Sequence, residues 1–212
     1  VAQVVGAAEA DLVAAADSAA AVVLVAAAVV LAAAVHREDG KNMEQNKFKR
    51  LWQHWLHPKL RVERYFPTSD LQRISRDISL SEQNHQGQIR FVIESRYPSN
   101  AVIQGLEPRT RAWQWFGELG VWDTEMNSGV LIYISFADRV VEIVADRGIA
   151  AKVSPENWQH TCQVMRESFK QGAFVSGLES GLKEVNQILT TYLPNTGNGQ
   201  SENELSDEVI LS

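Results

Sequence analysis

The sequence predicts an α/β protein, a three-layer α/β/α sandwich around a small mixed β-sheet. Three observations carry this. Two runs, VLIYISF (Val130–Phe136) and RVVEIVAD (Arg139–Asp146), are apolar at nearly every position, as in strands covered on both faces. Only Ala137-Asp138 separates them, so they form an antiparallel hairpin. The flanking stretches carry helical spacing and helix-start chemistry, in the order α-β-α-β-β-α-α.

Taken along the chain, Thr68 or Ser69 caps a first helix beginning near Asp70, with Leu71, Ile74, Ile78 and Leu80 as its buried side. QIRFVIES (Gln88–Ser95) is β-branched and aromatic enough for a strand. Pro98 to Gly105 is a connector. Pro108 opens a second helix running to about Leu119, with Trp113 and Phe116 inward. After the hairpin, Ser154 caps a helix with Pro155 at its first position, which carries Trp158, Cys162, Met165 and Phe169. A last helix spans Ala173 to Tyr192, and Pro194 stops it. From Asn195 onward Gly, Asn, Ser and acids predict disorder.

Composition divides the 212 residues into four pieces. Residues 1–42 are an Ala/Val-rich low-complexity segment of net charge −3, and 43–66 a basic amphipathic helix and linker of +4. Residues 67–192 form the globular domain at −3, and 193–212 an acidic tail at −4. The total of −6 excludes a general nucleic-acid binder, because phosphate neutralisation needs clustered Lys and Arg. A lone cysteine, Cys162, excludes a disulfide scaffold and a Cys-based zinc cage.

In the first piece, Ala19–Val35 is an unbroken apolar run close to the roughly 17-residue lower limit for a membrane-spanning helix. Acids precede it, and Arg37, Lys41, Lys47, Lys49 and Arg50 follow it. An inserted helix would therefore place the domain on the cytoplasmic side. Two plainer readings compete: a non-native tail ahead of Met43, which would leave the protein cytoplasmic, and an Ala-rich soluble helix.

In the second piece, Phe48, Leu51, Trp52, Trp55 and Leu56 make one apolar stripe at helical spacing, with Lys49, Arg50 and His54 off it. A short basic helix with tryptophans on its apolar face has the chemistry of an interfacial anchor. The expected contact set is Phe48, Lys49, Arg50, Leu51, Trp52, Trp55 and Leu56, directed at an anionic membrane surface or a membrane protein complex. The competing expectation packs the stripe onto the domain's own core.

The chemistry-bearing residues are carboxylates. No phosphate loop, dinucleotide fingerprint, GxSxG elbow or HExxH is present. His54 and His57 lack a third ligand, and Cys162 falls on the buried face of a helix. Asp123, Glu125 and Asn127 enter the first hairpin strand, and Asp146 leaves the second, so antiparallel geometry brings them to one end. Oxygen ligands from such loops suit Ca²⁺ or Mg²⁺. Glu142, flanked by valines and isoleucine, and Asp138, in the turn, are weaker candidates. A carboxylate in such a strand needs a partner or a raised pKa, and Arg90, Arg139 and Arg147 are the expected partners for Glu142.

The segment WDTEMNSGVLIYISFADRVVEIVADRGI (Trp122–Ile149) resembles the central motif of the TPM-domain family. FKQGAFVSGLESGL (Phe169–Leu182) resembles its final helix pair, and the resemblance extends over Phe66–Tyr192. It implies the same α/β/α sandwich. The family includes a thylakoid-lumen protein of photosystem II repair and many bacterial membrane-associated proteins. Some members are acid phosphatases, some bind calcium or other divalent ions, and some assist assembly of membrane protein complexes. Asn127-Ser128-Gly129 stands where the family often has Asp-Asn-Gly, which displaces the acid to Glu125 or Asp123. Arg139 and Gly148 match the Arg and Gly that bracket the second strand, Asp146 stands where many members have Gly, and Thr68-Ser69-Asp70 represents an early Thr-Asp pair.

Two functions follow: a membrane-associated interaction module that binds a divalent ion, and a metal-assisted acid phosphatase using the acidic loops.

Overall fold

The computed structural model describes residues 49–52, 54–55, 62–195 and 204–212, all within the unit Lys49–Ser212. The Ala19–Val35 run, Phe48, Leu56 and His57 lie outside the described residues. Among the described residues no helix is long and apolar enough to cross a membrane.

Helix α1 (Thr68–Ser81) buries Leu71, Ile74 and Ile78, one side of a 3.6-residue repeat. A 3₁₀ turn, Glu82–Asn84, leads to β1 (Gln88–Glu94). Helices α2 (Ser99–Ile103) and α3 (Pro108–Glu118) carry the chain to the hairpin of β2 (Gly129–Ser135) and β3 (Val140–Ala145). The short α4 (Arg147–Ala150), then α5 (Pro155–Lys170) and α6 (Phe174–Tyr192), complete the helices, and β4 (Ile210–Leu211) closes the described chain. The sheet order is β3-β2-β1-β4. β1 runs parallel to both β2 and β4, while β2 and β3 are antiparallel. The fold is the expected mixed α/β sandwich.

The strands are apolar throughout because helices cover both faces. On one face Ile89, Phe91, Ile93, Val130, Ile132 and Ile134 meet Ile74, Met165, Leu178 and Leu189. On the other, Val92, Leu131, Tyr133 and Val144 meet Val102, Ala112 and Phe116. Burying each large side chain contributes roughly 1.5–3 kcal/mol. Gly181 lets α6 lie close on α5, since a Cβ there would run into the Met165 side chain.

Four expectations change. The Pro98–Gly105 connector contains α2. On α3 the inward residues are Ala112 and Phe116, while Trp113 is half exposed, with the Arg109 guanidinium 5.7 Å from its ring centroid; Leu80 of α1 is also exposed. The hairpin connection is a four-residue turn, Phe136–Arg139, because Arg139 adopts φ +58° and completes the reversal before β3 begins at Val140. Finally, residues 204–212 of the acidic tail are ordered onto the domain: Leu205 and Val209 are buried and β4 joins the sheet. Leu205, Val209, Ile210 and Leu211 supply the apolar surface that outweighs the flanking acids.

Candidate functional site

The two ends of the β2–β3 hairpin carry the two clusters of polar side chains. The turn end is built around Asp138. Its carboxylate takes two bonds from Arg50, Nε to Oδ1 at 2.8 Å and Nη2 to Oδ2 at 3.0 Å, and a third from Ser135 Oγ at 3.1 Å. His54 Nε2 lies 3.1 Å from Oδ1, and His54 Nδ1 accepts the Tyr97 N–H at 2.9 Å. The nitrogen that accepts carries no proton, so Nε2–H is the donor to Asp138. Burial alone would raise the Asp138 carboxyl, but the His54 and Arg50 bonds outweigh it and hold it well below the usual carboxylate range. Arg50 is raised in turn, chiefly by its bond to Asp138. Its Nη2 also donates to the Leu106 carbonyl at 2.5 Å, which ties the segment to the loop before α3.

Behind this latch runs a buried polar chain on the same face of the sheet. Glu94, 3% exposed, accepts from Arg111 Nε and Nη2, from Trp115 Nε1 at 3.0 Å and from the Tyr133 hydroxyl at 2.6 Å. Tyr133 lies 3.0 Å from the Tyr97 hydroxyl. Burial pushes the Tyr97 phenol up to about 12 and raises Tyr133 as well, so both stay protonated and serve as donors. The chain links the ends of the parallel strands β1 and β2.

The open end of the hairpin is the place expected for the acidic rim. Asp146 and the Asn127 loop do meet: Asp146 N–H donates to the Gly129 carbonyl at 2.8 Å and Gly148 N–H to the Asn127 carbonyl at 3.0 Å. A Cβ on Gly148 would sit 2.5 Å from the Met126 carbonyl oxygen and 2.6 Å from that of Asn127, so only glycine allows this approach. Asn127 takes φ +50°, which its short polar side chain tolerates. Asp146 Oδ1 accepts the Arg147 N–H at 2.7 Å, and its Oδ2 is buried without a partner. Arg147 Nε occupies Asn127 Oδ1 at 2.7 Å. Asp123 and Glu125 are exposed. Among the described residues no three His, Cys, Asp or Glu side chains are grouped to hold a metal ion. The rim offers one uncommitted buried oxygen, whereas Ca²⁺ takes six to eight oxygens.

The weaker candidates are committed elsewhere. Glu142 pairs with Arg109 of α3 at 3.2 Å, not with Arg90, Arg139 or Arg147, because β3 turns that side chain toward α3. Asp138 is the anchor described above. Its oxygens are taken up by Arg50, His54 and Ser135. Cys162 packs against the core, and burial pushes its thiol up to about 11.

The basic helical segment, described at residues 49–52 and 54–55, divides its stripe, with Leu51 packed on the domain and Trp52 and Trp55 left outside. Arg50, half-buried Leu51 and buried His54 face the domain, whereas Trp52 and Trp55 are 60% and 67% exposed. The two indoles stack edge-to-face at 5.5 Å, with Lys49 exposed beside them. Arg50 and Leu51, expected at a membrane or partner, are thus taken up by the domain. The reason is Asp138: desolvated in the turn, it demands a cation, and its best-placed donors lie off the apolar stripe. The roles of Glu94, Tyr97 and His54 are not legible in the sequence, since their partners are 17 to 84 positions away.

Compared with known proteins, a family model described as the TPM domain matches residues 62–188. Five chains of known structure match. One is the NMR structure of the BA42 protein from the psychrophilic bacterium Bizionia argentinensis, at 28% identity and a TM-score of 0.58. The match covers 67% of this chain and 92% of that one. No curated protein matches the sequence.

Proposed function

This chain belongs to the TPM-domain family, and we propose that its domain is an interaction module held at an anionic membrane surface, where it engages a membrane protein complex. One observation carries the reading: the basic segment spends its polar side on Asp138 and leaves Trp52 and Trp55 outside. Tryptophan favours the membrane interface because its ring is apolar and its N–H still finds a partner there. Neighbouring lysines add attraction to anionic headgroups. Fixing the helix in advance lowers the ordering cost of attachment.

The test is co-sedimentation of the full chain with phosphatidylserine-containing vesicles, comparing wild type with Trp52→Ala/Trp55→Ala. The double variant is expected to lose at least about tenfold in partitioning, the order that burying two indoles supplies. Undiminished sedimentation of a folded double variant rejects the reading.

A second reading assigns divalent-cation binding to the open end of the hairpin, favoured by the orphan Asp146 Oδ2. Titrating Ca²⁺ or Mg²⁺ while following the fluorescence of exposed Trp122 tests it, with Asp146→Asn as control. A phosphate-release assay on the same two proteins tests the metal-assisted phosphatase: equal background rates end it.

A further inference from the structure

The outer edge of β1 is closed by a segment that lies beyond the matched TPM domain. The matched TPM domain ends at residue 188, whereas residues 204–212 return to the sheet as an extended strand. The ladder itself is two residues long, pairing Val92 with Ile210 and Ile93 with Leu211. Most of the remaining hold comes from the domain's side chains gripping backbone. Gln88 Oε1 accepts the N–H groups of Glu204 and Leu205 at 3.2 and 3.1 Å, and Ser75 Oγ accepts that of Val209 at 3.2 Å. Ser95 donates from both its N–H and its hydroxyl to the Ser212 carbonyl, at 2.8 and 2.7 Å. Side chains of the segment then go alternately to the two layers. Leu205 and Ile210 enter the core over α3, and Val209 and Leu211 the core over α1.

Charge matches as well. Arg90 of β1 is 7% exposed and its Nη1 has no hydrogen-bond partner; burial lowers its pKa, and the charges of Glu208, Asp207 and Glu82 work against that. A buried guanidinium within the field of two acids of the segment, polar side chains aimed at backbone, and apolar sites alternating between two layers are the elements of peptide recognition by strand addition.

We propose that the outer edge of β1 is a peptide-binding edge, that residues 204–212 are its resident occupant, and that a partner protein displaces them with an extended segment of the same chemistry. That chemistry is a leucine, an acidic pair two residues on, and a Val/Ile/Leu run directly after it. Backbone bonds to Gln88, Ser75 and Ser95 supply affinity without regard to sequence, while Arg90 selects the acids. The tethered occupant competes at an effective concentration on the order of millimolar, so it guards the edge against weak ligands.

The test uses the full chain and a fluorescent peptide of residues 204–212, followed by anisotropy. Opening the edge with Leu205→Asp/Val209→Asp is expected to tighten peptide binding at least about tenfold over wild type. Arg90→Gln in the opened chain is expected to weaken it, and a scrambled peptide is expected not to bind. A folded opened variant that ignores the peptide overturns the proposal, as does equal binding of the scrambled sequence. An opened variant that loses its fold makes the segment part of the domain, and the proposal falls. Hydrogen exchange on the wild-type chain is an independent test. The amides of Leu205, Val209 and Ser212 are expected to exchange at least about tenfold faster than those shared by β1 and β2, and equal protection overturns the proposal. A concentration-dependent dimer of wild type that blocks peptide binding would make a second copy the occupant and reject the partner peptide.

Discussion

Asp138 is the residue on which the placement of the basic segment rests. Replacing it with alanine leaves Arg50 and His54 facing a desolvated turn without their acceptor, which is expected to cost roughly 3 kcal/mol in urea denaturation of the full chain. Arg50→Ala leaves Asp138 with its His54 and Ser135 donors, so its cost is expected to be about 1–2 kcal/mol. Equal losses would show that the carboxylate is not the centre of the latch. The sign of the pH dependence follows from the depressed Asp138 carboxyl. Its contribution is present above the ordinary carboxylate pKa of about 3.9 and is lost as pH falls through the lower folded value. At the open end of the hairpin, Gly148→Ala forces a Cβ onto two carbonyl oxygens and is expected to cost about 2 kcal/mol, read in the same denaturation experiment.

Elements differ in how much of them the sequence displays. Helices α1, α5 and α6 repeat their apolar residues over two turns or more, and β2 and β3 are apolar runs beside a turn, so local pattern suffices. Helix α2 has five residues, too few for periodicity to register. Strand β4 has two, in an acidic stretch, and its stability comes from β1 and from buried Leu205 and Val209. Its environment makes a testable difference at the 3₁₀ turn after α1. Burial, against the pull of the Ile89 N–H bond and with Asp207 adding its charge, pushes the Glu82 carboxyl up to about 8. A raised carboxyl holds its stability below the unfolded value of about 4.3 and loses it as pH climbs through about 8. The urea midpoint is expected to fall across that window in wild type and to flatten in Glu82→Gln. Buried His85, lowered by desolvation and bonded to Asn186, works in the opposite sense, losing stability as pH drops below about 6.5. The difference between wild type and Glu82→Gln cancels it, so a difference curve flat from pH 5 to 8 would refute the Glu82 assignment.

At the scale of the whole molecule, the helical spacing of Leu51, Trp52 and Trp55 was legible, but spacing fixes the period of an amphipathic helix and not which side a neighbour claims. That choice belongs to Asp138, 84 positions from His54, and to a buried acid's need for donors. The rim of Asp146 and Asn127 was legible because antiparallel strands dictate it. Arg147's hold on Asn127 was not, since it depends on a φ of +50°. The molecule is also electrostatically divided, with +4 in residues 43–66 against −3 in 67–192 and −4 in 193–212. An anionic surface attracts the first and repels the rest, so the proposed attachment is expected to lead with the tryptophan segment. Salt separates the contributions, because the Debye length shrinks from about 10 Å at 0.1 M to about 3 Å at 1 M, while burial of indole is not screened. Partitioning of the full chain onto anionic vesicles is expected to fall as NaCl rises between those limits, yet to retain a residue of binding that Trp52→Ala/Trp55→Ala removes. Binding that strengthens with salt would mean that repulsion of the acidic domain and tail outweighs the basic segment, and attachment would then have to come from elsewhere in the chain.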